Sequence, residues 1–322
     1  GSLQAQNLAD EFAVTRMIPA PDTAFLPSDF STFRLQLTRP VHPDWQAMGG
    51  TVRLLDGNGD PVPATVLVKD RAITVDPCIA DTPAGCGMDS DLLDYKQTYT
   101  LQIENLPARS GGTLDYSASF TPEESAPHVT LYQQIVDSGL NAGQSEEQAE
   151  RSLLNGQIIN GITLESVLQG NAGPSQQTAD LFAQVAYAPD NDDEFGVPLR
   201  IARNSKLASS SLDIRINGLV PVINEATGDT QTTGDINVTM LSDARGYLLP
   251  NPYSNSASAP RHVRLWMDIA MNTEEAMPNA ALSQDIMGLE LTGIAQVRDG
   301  LLTIDAIGIV EPRLLGIEDT IA

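Results

Sequence analysis

The fold is decided by residues 31–122, which open on the alternating Phe33-Arg34-Leu35-Gln36-Leu37 and close on Tyr116-Ser117-Ala118-Ser119-Phe120. Between them lies Val52-Arg53-Leu54-Leu55, followed by the turn-forming Asp56-Gly57-Asn58-Gly59-Asp60-Pro61. Apolar residues at every second position give a strand one buried and one wet side, and clusters of Gly, Asn, Asp and Pro separate such strands. This stretch therefore predicts a small antiparallel β-sandwich.

The chain of 322 residues is longer than one ordinary sandwich, so we expect several domains, mainly β in class. They are an N-terminal tether (1–26), the sandwich (27–123), a helical region (124–192) and a second antiparallel β domain (193–322). No apolar run approaches the roughly 18 residues that a membrane-spanning helix needs.

Apolar spacing predicts helices in the third of these regions. Ser145-Glu146-Glu147-Gln148 has the pattern of a capping box, which starts many helices. Helices are also predicted around Leu131, Tyr132, Ile135 and Val136, from Thr163 to Leu168, and from Ser175 through Ala179, Leu181, Phe182 and Val185.

In the last domain, apolar side chains again recur at every second position. Residues 212–216, 236–240 and 263–271 alternate between apolar and polar side chains, which predicts half-buried strands. The Asp299-Gly300 pair separates two further runs, 289–297 and 301–309, and predicts a β-hairpin.

The charge of the chain limits its partners. It carries 42 acidic residues against 18 lysines and arginines, for a net charge of −24. Nucleic-acid affinity comes mostly from cationic neutralisation of phosphates, so nucleic acid is excluded as a partner. An acidic surface favours solubility and attracts divalent cations.

No cofactor is required by any motif, and calcium is the one ion with candidate ligands. The loop Asp190, Asp192, Asp193 and Glu194 concentrates oxygen ligands, with a solvated linker as the alternative. Asp56, Asn58 and Asp60 alternate like the start of a calcium loop, but a hairpin turn explains the same residues.

Cys78 and Cys86 are predicted to form a disulfide. They lie in a turn-rich segment that brings their Cα atoms within bonding reach, and their spacing fits no zinc motif. A loop disulfide indicates an oxidising compartment, so we expect the periplasm, an outer-membrane lipoprotein or the cell surface. The N-terminal lead has no signal-peptide pattern, so any export signal or lipid anchor is expected to precede residue 1. Whether the natural chain continues past Ala322 stays open.

Residues of about 27–122 resemble a bacterial Ig-like domain of the surface-layer type. The resemblance rests on residues 33–41, the hairpin 52–62, the segment 93–103 and the closing Phe120-Thr121-Pro122. It implies an Ig-like sandwich of the kind found in surface lipoproteins and in the N-terminal regions of exported bacterial lipases.

Catalytic motifs do not emerge. Around Ser145, Glu147 occupies the position where a lipase elbow requires its second glycine, and a helix cap explains this serine. His42, His128 and His262 are expected to face solvent in structural roles. We therefore predict a protein that is not an enzyme.

The second β domain carries the candidate ligand-binding residues Trp266, Met267 and Met271. Methionine suits adaptable apolar surfaces as well as ordinary cores. Trp266 shares the polar side of its strand with His262, Arg264 and Asp268. It is either covered by another element or exposed for recognition.

These observations favour a non-enzymatic envelope or secreted binding protein that engages a protein partner or an apolar lipid or hydrocarbon ligand. Two alternatives stay open: the non-catalytic N-terminal part of an exported lipase or esterase, and a structural spacer or adhesin module.

Overall fold

A computed structural model describes most of the sandwich and the central strands of the last domain. The described residues contain no α-helix, and their only helical element is the 3-10 turn Pro83–Gly85. Among them there is thus no helix long and apolar enough to cross a membrane. The protein is mainly β, as predicted. The described residues are 11–19, 32–88, 91, 93–122, 126–135, 168–169, 177–187, 197–203, 205–209, 213–216, 219–220, 225–226, 230–232, 235–256, 258–273, 284–298, 301–308, 313–314 and 317–318.

The chain divides into two compact units. The first contains Gly1–Val129 and Val185–Arg200, and the second contains Thr130–Gln184 and Ile201–Ala322. The predicted domain boundaries at 26, 123 and 192 stay predictions.

Two antiparallel sheets build the sandwich of the first unit. One sheet has the order β1-β2-β5-β4 and the other the order β3-β6-β7. The strands are Val14–Ile18 (β1), Phe33–Leu37 (β2), Thr51–Leu55 (β3), Ala64–Lys69 (β4), Ala72–Pro77 (β5), Tyr99–Pro107 (β6) and Thr113–Phe120 (β7).

The core of this sandwich is made by the alternating residues of both sheets. Phe33 on β2 is fully buried and its ring centroid lies 4.9 Å from that of Phe120 on β7. Burying an aliphatic or aromatic side chain contributes about 1.5–3 kcal/mol. The same buried cluster contains Leu35, Leu37, Leu54, Ile73, Val75, Leu101, Ile103 and Leu106.

The N-terminal segment takes part in this core. β1 pairs with β2 through Met17↔Leu35, and both Phe12 and Met17 are buried in the cluster. Residues 12–18 thus belong to the sandwich, although the sequence places them in a tether. The apolar residues of this segment do not alternate strictly with polar ones, so the sequence shows no strand period there.

The predicted disulfide between Cys78 and Cys86 is confirmed, with a Cα–Cα distance of 5.2 Å. The buried Asp91 braces the same loop, because its carboxylate accepts hydrogen bonds from the backbone N–H groups of Ile79 (2.9 Å) and Gly87 (2.8 Å). The loop is therefore held by a covalent bond and by a buried carboxylate.

The remaining strands centre on one long strand, β19 (Arg261–Thr273). It pairs with β17 (Ile236–Met240) at one end, with β18 (Ala244–Leu248) at the other, and with β20 (Gln284–Arg298) on its opposite edge. The strands are Ala126–Ile135 (β8), Leu168–Gln169 (β9), Gln177–Tyr187 (β10), Val197–Ile201 (β11), Lys206–Ser209 (β12), Asp213–Ile216 (β13), Leu219–Val220 (β14), Glu225–Ala226 (β15), Thr230–Thr232 (β16), Ile236–Met240 (β17), Ala244–Leu248 (β18), Arg261–Thr273 (β19), Gln284–Arg298 (β20), Leu301–Gly308 (β21), Arg313–Leu314 (β22) and Ile317–Glu318 (β23).

The predicted hairpin is confirmed. β20 and β21 pair antiparallel from Leu291↔Gly308 to Arg298↔Leu301, which leaves two residues for the connection. The alternating segments 236–240 and 263–271 are likewise strands, as predicted.

The helices predicted around Leu131 and after Ser175 are wrong, because both segments are strands. Leu131, Tyr132 and Ile135 lie in β8, and Ala179, Leu181, Phe182 and Val185 lie in β10. β10 pairs with β12, so its backbone hydrogen bonds are made by a distant segment rather than within a helix. Ser145 and most of the segment 163–168 lie outside the described residues.

Candidate functional site

Strand alternation separates the three predicted ligand-binding residues. Successive side chains of a strand point to opposite faces of the sheet, so Met267 and Met271 on β19 share one face and Trp266 lies on the other. The two faces differ in chemistry.

The face that carries Met267 and Met271 is apolar across several strands, and we call it the apolar face. Directly paired residues of antiparallel strands lie on the same side of the sheet. Met267 pairs with Leu289 on β20, and Met271 pairs with Val238 on β17. Between them, Ile269 pairs with Ile286 on one side and Met240 on the other.

The apolar face has a buried part and a partly exposed part. Val263, Met240 and Ile269 are buried, at 1%, 5% and 8% exposure. Met267, Met271, Val238, Ile286, Leu289 and Leu291 are only partly buried. The exposure continues onto β21, where Ile304 is 38% exposed and pairs with the buried Ala295. Apolar atoms that a ligand could cover therefore lie around the two methionines.

The opposite face carries a cluster of aromatic rings and arginines. The rings of Tyr247 and Trp266 meet edge to face at 6.4 Å. The guanidinium of Arg245 lies 5.5 Å from the centre of the Tyr247 ring and donates a 2.6 Å hydrogen bond to its hydroxyl. Arg264 lies 5.1 Å from the Trp266 ring and forms an ion pair with Glu290. A cation–π contact contributes about 0.5–1 kcal/mol when the cation is exposed, as Arg264 partly is, and about 2 kcal/mol when it is desolvated.

Trp266 is covered, with 6% of its surface exposed. Its indole Nε1 is buried and has no hydrogen-bond partner among the described residues. Of the three predicted ligand residues, Met267 and Met271 therefore offer side-chain surface, whereas Trp266 packs into the aromatic and arginine cluster.

A buried carboxylate, not found by sequence reasoning, holds the strands beside the methionines. Asp268 is fully buried, and its two oxygens accept 2.7 Å hydrogen bonds from the Ser242 hydroxyl and from the backbone N–H of Gly288. Gly288 has φ +65° and lies at the irregularity where β20 places one extra residue opposite β19. Asp268 thus fixes this bulge between Met267 and Met271. The one signal in the sequence is an acidic residue inside an apolar strand.

A polar cleft of about 640 Å³ lies on the first unit, over β6 and β7. The phenol of Tyr116 donates a hydrogen bond to the thioether of Met17 at 3.6 Å, and burial raises the pKa of that phenol. The cleft is lined by Gln102, Ile103, Glu104, Asn105, Asp115, Tyr116 and Ser117. Because most of these side chains are polar, the cleft does not suit an apolar ligand.

Of the two candidate calcium sites, the structure describes only one. Asp190, Asp192, Asp193 and Glu194 lie outside the described residues. In the other candidate, Asp56 accepts hydrogen bonds from the backbone N–H groups of Asn58 and Asp60, at 2.8 and 3.0 Å, so its carboxylate shapes the turn. Within the described part of the chain there is no group of three or more His, Cys, Asp or Glu side chains arranged to hold a metal ion.

Two histidines, His42 and His262, have described side chains, and neither belongs to a group of potential metal ligands among the described residues. His42 accepts a 3.0 Å hydrogen bond from the backbone N–H of Asp44 through Nδ1, which is a turn contact. His262 is exposed at the start of β19. Its backbone carbonyl accepts a hydrogen bond from Leu249.

The fold and the site define a mainly β protein with a partly open apolar sheet face. No family model matches the chain, and no solved structure matches it. A protein of Marinobacter nauticus named Alkane uptake protein B is 52% identical to it over 324 aligned residues, which include 99% of this chain. The chain spans 30% of the length of that relative.

Proposed function

We propose that this chain is a non-enzymatic part of a cell-envelope protein and that it holds an apolar, hydrocarbon-class ligand against the apolar face. The observation that carries the proposal is the 52% identity, over almost the whole chain, to a protein named for alkane uptake. The partly exposed Met267 and Met271 supply the matching surface.

The chemistry of the face suits this ligand. An alkane offers no hydrogen bond, so its affinity comes from the apolar surface removed from water, about 5 kcal/mol for roughly 200 Å². Unbranched methionine side chains adapt their shape to a flexible chain. The buried Asp268 keeps the strand that bears both methionines in a fixed register, so the ligand meets a preformed surface.

The proposed location is supported by two features. The Cys78–Cys86 disulfide is typical of oxidising compartments. A net charge of −24 keeps an exported protein soluble. We further propose that the first unit is an Ig-like domain of the surface-layer type that presents the second unit outside the cytoplasm. Its two antiparallel sheets around one core support this assignment.

Retention of radiolabelled n-hexadecane by the purified chain tests the proposal. Replacing Met267 and Met271 together by glutamine keeps side-chain volume but adds two amides to the apolar face. We expect retention to weaken about tenfold or more. The leucine pair at the same positions keeps the apolar surface and is expected to retain binding.

Met48 provides the matched control, because it is 54% exposed on the first unit. Met48→Gln should leave hexadecane retention unchanged. If the wild-type protein retains no hexadecane, the result would instead support a structural spacer. If the Met267→Gln, Met271→Gln variant retains as much hexadecane as the wild type, the binding site does not lie at these methionines. Circular dichroism of each variant establishes that it is folded.

A further inference from the structure

Three methionines lie on the apolar face of the second unit and differ in exposure. Met240 on β17 pairs with Ile269, which shares the strand alternation of Met267 and Met271 on β19. Met240 is 5% exposed, whereas Met267 and Met271 are only partly buried. Small solutes in water can therefore reach the side chains of Met267 and Met271, while Met240 is covered.

The thioether is the oxidisable group of this face. The neighbouring side chains of Val238, Ile286 and Leu289 are aliphatic and have no lone pair that could attack a peroxide. With hydrogen peroxide, the sulfur lone pair attacks one peroxide oxygen, so that an S–O bond forms and the O–O bond breaks. The hydroxide that leaves takes the proton of the transferred oxygen. The products are methionine sulfoxide and water, with the sulfur oxidised and the peroxide reduced by two electrons.

The sulfoxide changes the chemistry of the apolar face. Oxidation converts a flexible apolar side chain into a polar one that accepts hydrogen bonds from water. A hydrocarbon lying against the sulfoxide removes this water and offers no hydrogen bond in return, which costs binding free energy. Met267 and Met271 are four residues apart on one strand, about 13 Å, which is shorter than an extended hexadecane molecule. Both sulfoxides would thus act on the same bound chain.

We infer that Met267 and Met271 are modification sites through which peroxide lowers the hydrocarbon affinity of the apolar face, and that bound hydrocarbon protects both sulfurs. The inference rests on the hydrocarbon function proposed above. Protection is the reciprocal effect, because the alkane covers the atoms that peroxide must reach. The effect depends on the position of the methionines: Met48, 54% exposed on the first unit, should oxidise without consequence for hydrocarbon retention.

Peroxide treatment of the purified chain tests where oxidation occurs. Oxidised methionines are located by peptide mass spectrometry as the gain of one oxygen. Met48, Met267 and Met271 should react several-fold faster than the buried Met17 and Met240. When hexadecane is present, oxidation of Met267 and Met271 should slow several-fold, whereas Met48 should keep its rate.

Retention of radiolabelled hexadecane before and after oxidation tests the consequence. The oxidised wild-type chain should retain about tenfold less or lower still. The matched control is Met267→Leu, Met271→Leu, which keeps the apolar surface and every other methionine, and its retention should not change on oxidation. Methionine sulfoxide reductases, one for each sulfoxide epimer, should restore wild-type retention. The leucine pair taken through the same reduction shows any effect of opening the disulfide.

Four results would overturn the inference and leave the hydrocarbon proposal standing. They are unchanged retention by the oxidised wild type, an equal loss in the leucine pair, oxidation of Met267 and Met271 at a rate that hexadecane does not alter, and loss of the native circular dichroism spectrum when the wild type is oxidised. In each case the untreated chain still retains hexadecane. No retention by the untreated wild type would overturn both proposals, so the two failures are distinguishable.

Discussion

Removal of the Cys78–Cys86 disulfide should destabilise the first unit by about 2.5 kcal/mol. The two cysteines are separated by eight positions, and closing a loop of about nine residues in the unfolded chain lowers its entropy by an amount worth about 2.5 kcal/mol at 25 °C. The double substitution Cys78→Ser, Cys86→Ser leaves no free thiol. The native loop should persist, because the carboxylate of Asp91 still accepts both of its backbone hydrogen bonds.

The two tryptophans allow this loss to be measured in the first unit alone. The chain has two tryptophans, Trp45 packed against the core of the first unit and Trp266 in the second. In a Trp266→Phe background, urea unfolding followed by fluorescence therefore reports the first unit. The disulfide-free variant and its disulfide-intact parent are compared in this same background.

Two results would refute the reasoning. One is a loss of less than about 0.5 kcal/mol, which would mean that the unfolded chain gains little freedom when the disulfide is absent. The other is alkylation of both cysteines without prior reduction, so that the intact masses with and without reductant are equal, which would show that the disulfide does not form. Dithiothreitol added to the parent should reproduce the loss seen in the double variant.

Gly246→Ala should destabilise the second unit by about 2 kcal/mol or more, because the new Cβ would lie 1.8 Å from the carbonyl oxygen of Arg264; urea unfolding followed by Trp266 fluorescence in a Trp45→Phe background measures it. Gly57→Ala, with its nearest neighbours at 3.7 Å, is the control and should leave the midpoint of the first unit unchanged in the Trp266→Phe background. Asp268→Asn should cost about 2 kcal/mol or more by urea unfolding, because the amide keeps one acceptor oxygen and places an NH2 group where the second oxygen accepts a hydrogen bond. An unchanged midpoint would show that the carboxylate does not hold the bulge. Burial raises the pKa of Tyr99 above that of an unfolded tyrosine. The contribution of the neutral phenol to the free energy of unfolding is therefore fully present below the unfolded-state pKa of about 10. It is lost as the pH rises through the higher folded-state pKa, and Tyr99→Phe should flatten the alkaline part of a stability profile.

Local alternation was enough to predict the sandwich. Phe33, Leu35 and Leu37 are buried at every second position, and Asp56 begins a polar turn immediately after β3. These signals need no distant partner to be recognised. The disulfide was predictable for the same reason, since both cysteines belong to one short loop.

The helical prediction failed where apolar spacing fits two periods. Ala179, Leu181, Phe182 and Val185 fit a helical period. Ala179, Leu181 and Val185 also form a strict alternation with Ala183, which is 7% exposed. β10 is a strand because β12, about 25 residues further on, supplies its hydrogen bonds. A pattern within one segment does not contain that information.

The sequence by itself determined which side chains share a face of β19, because a strand has a period of two. It placed Met267 with Met271 and set Trp266 on the polar side. Only the tertiary structure decided that Trp266 is covered, that Asp268 is buried at a bulge, and that the two methionines stay partly open. Burial depends on strands such as β17, β18 and β20 that approach from elsewhere in the chain, and their register is set by pairings that no local pattern records.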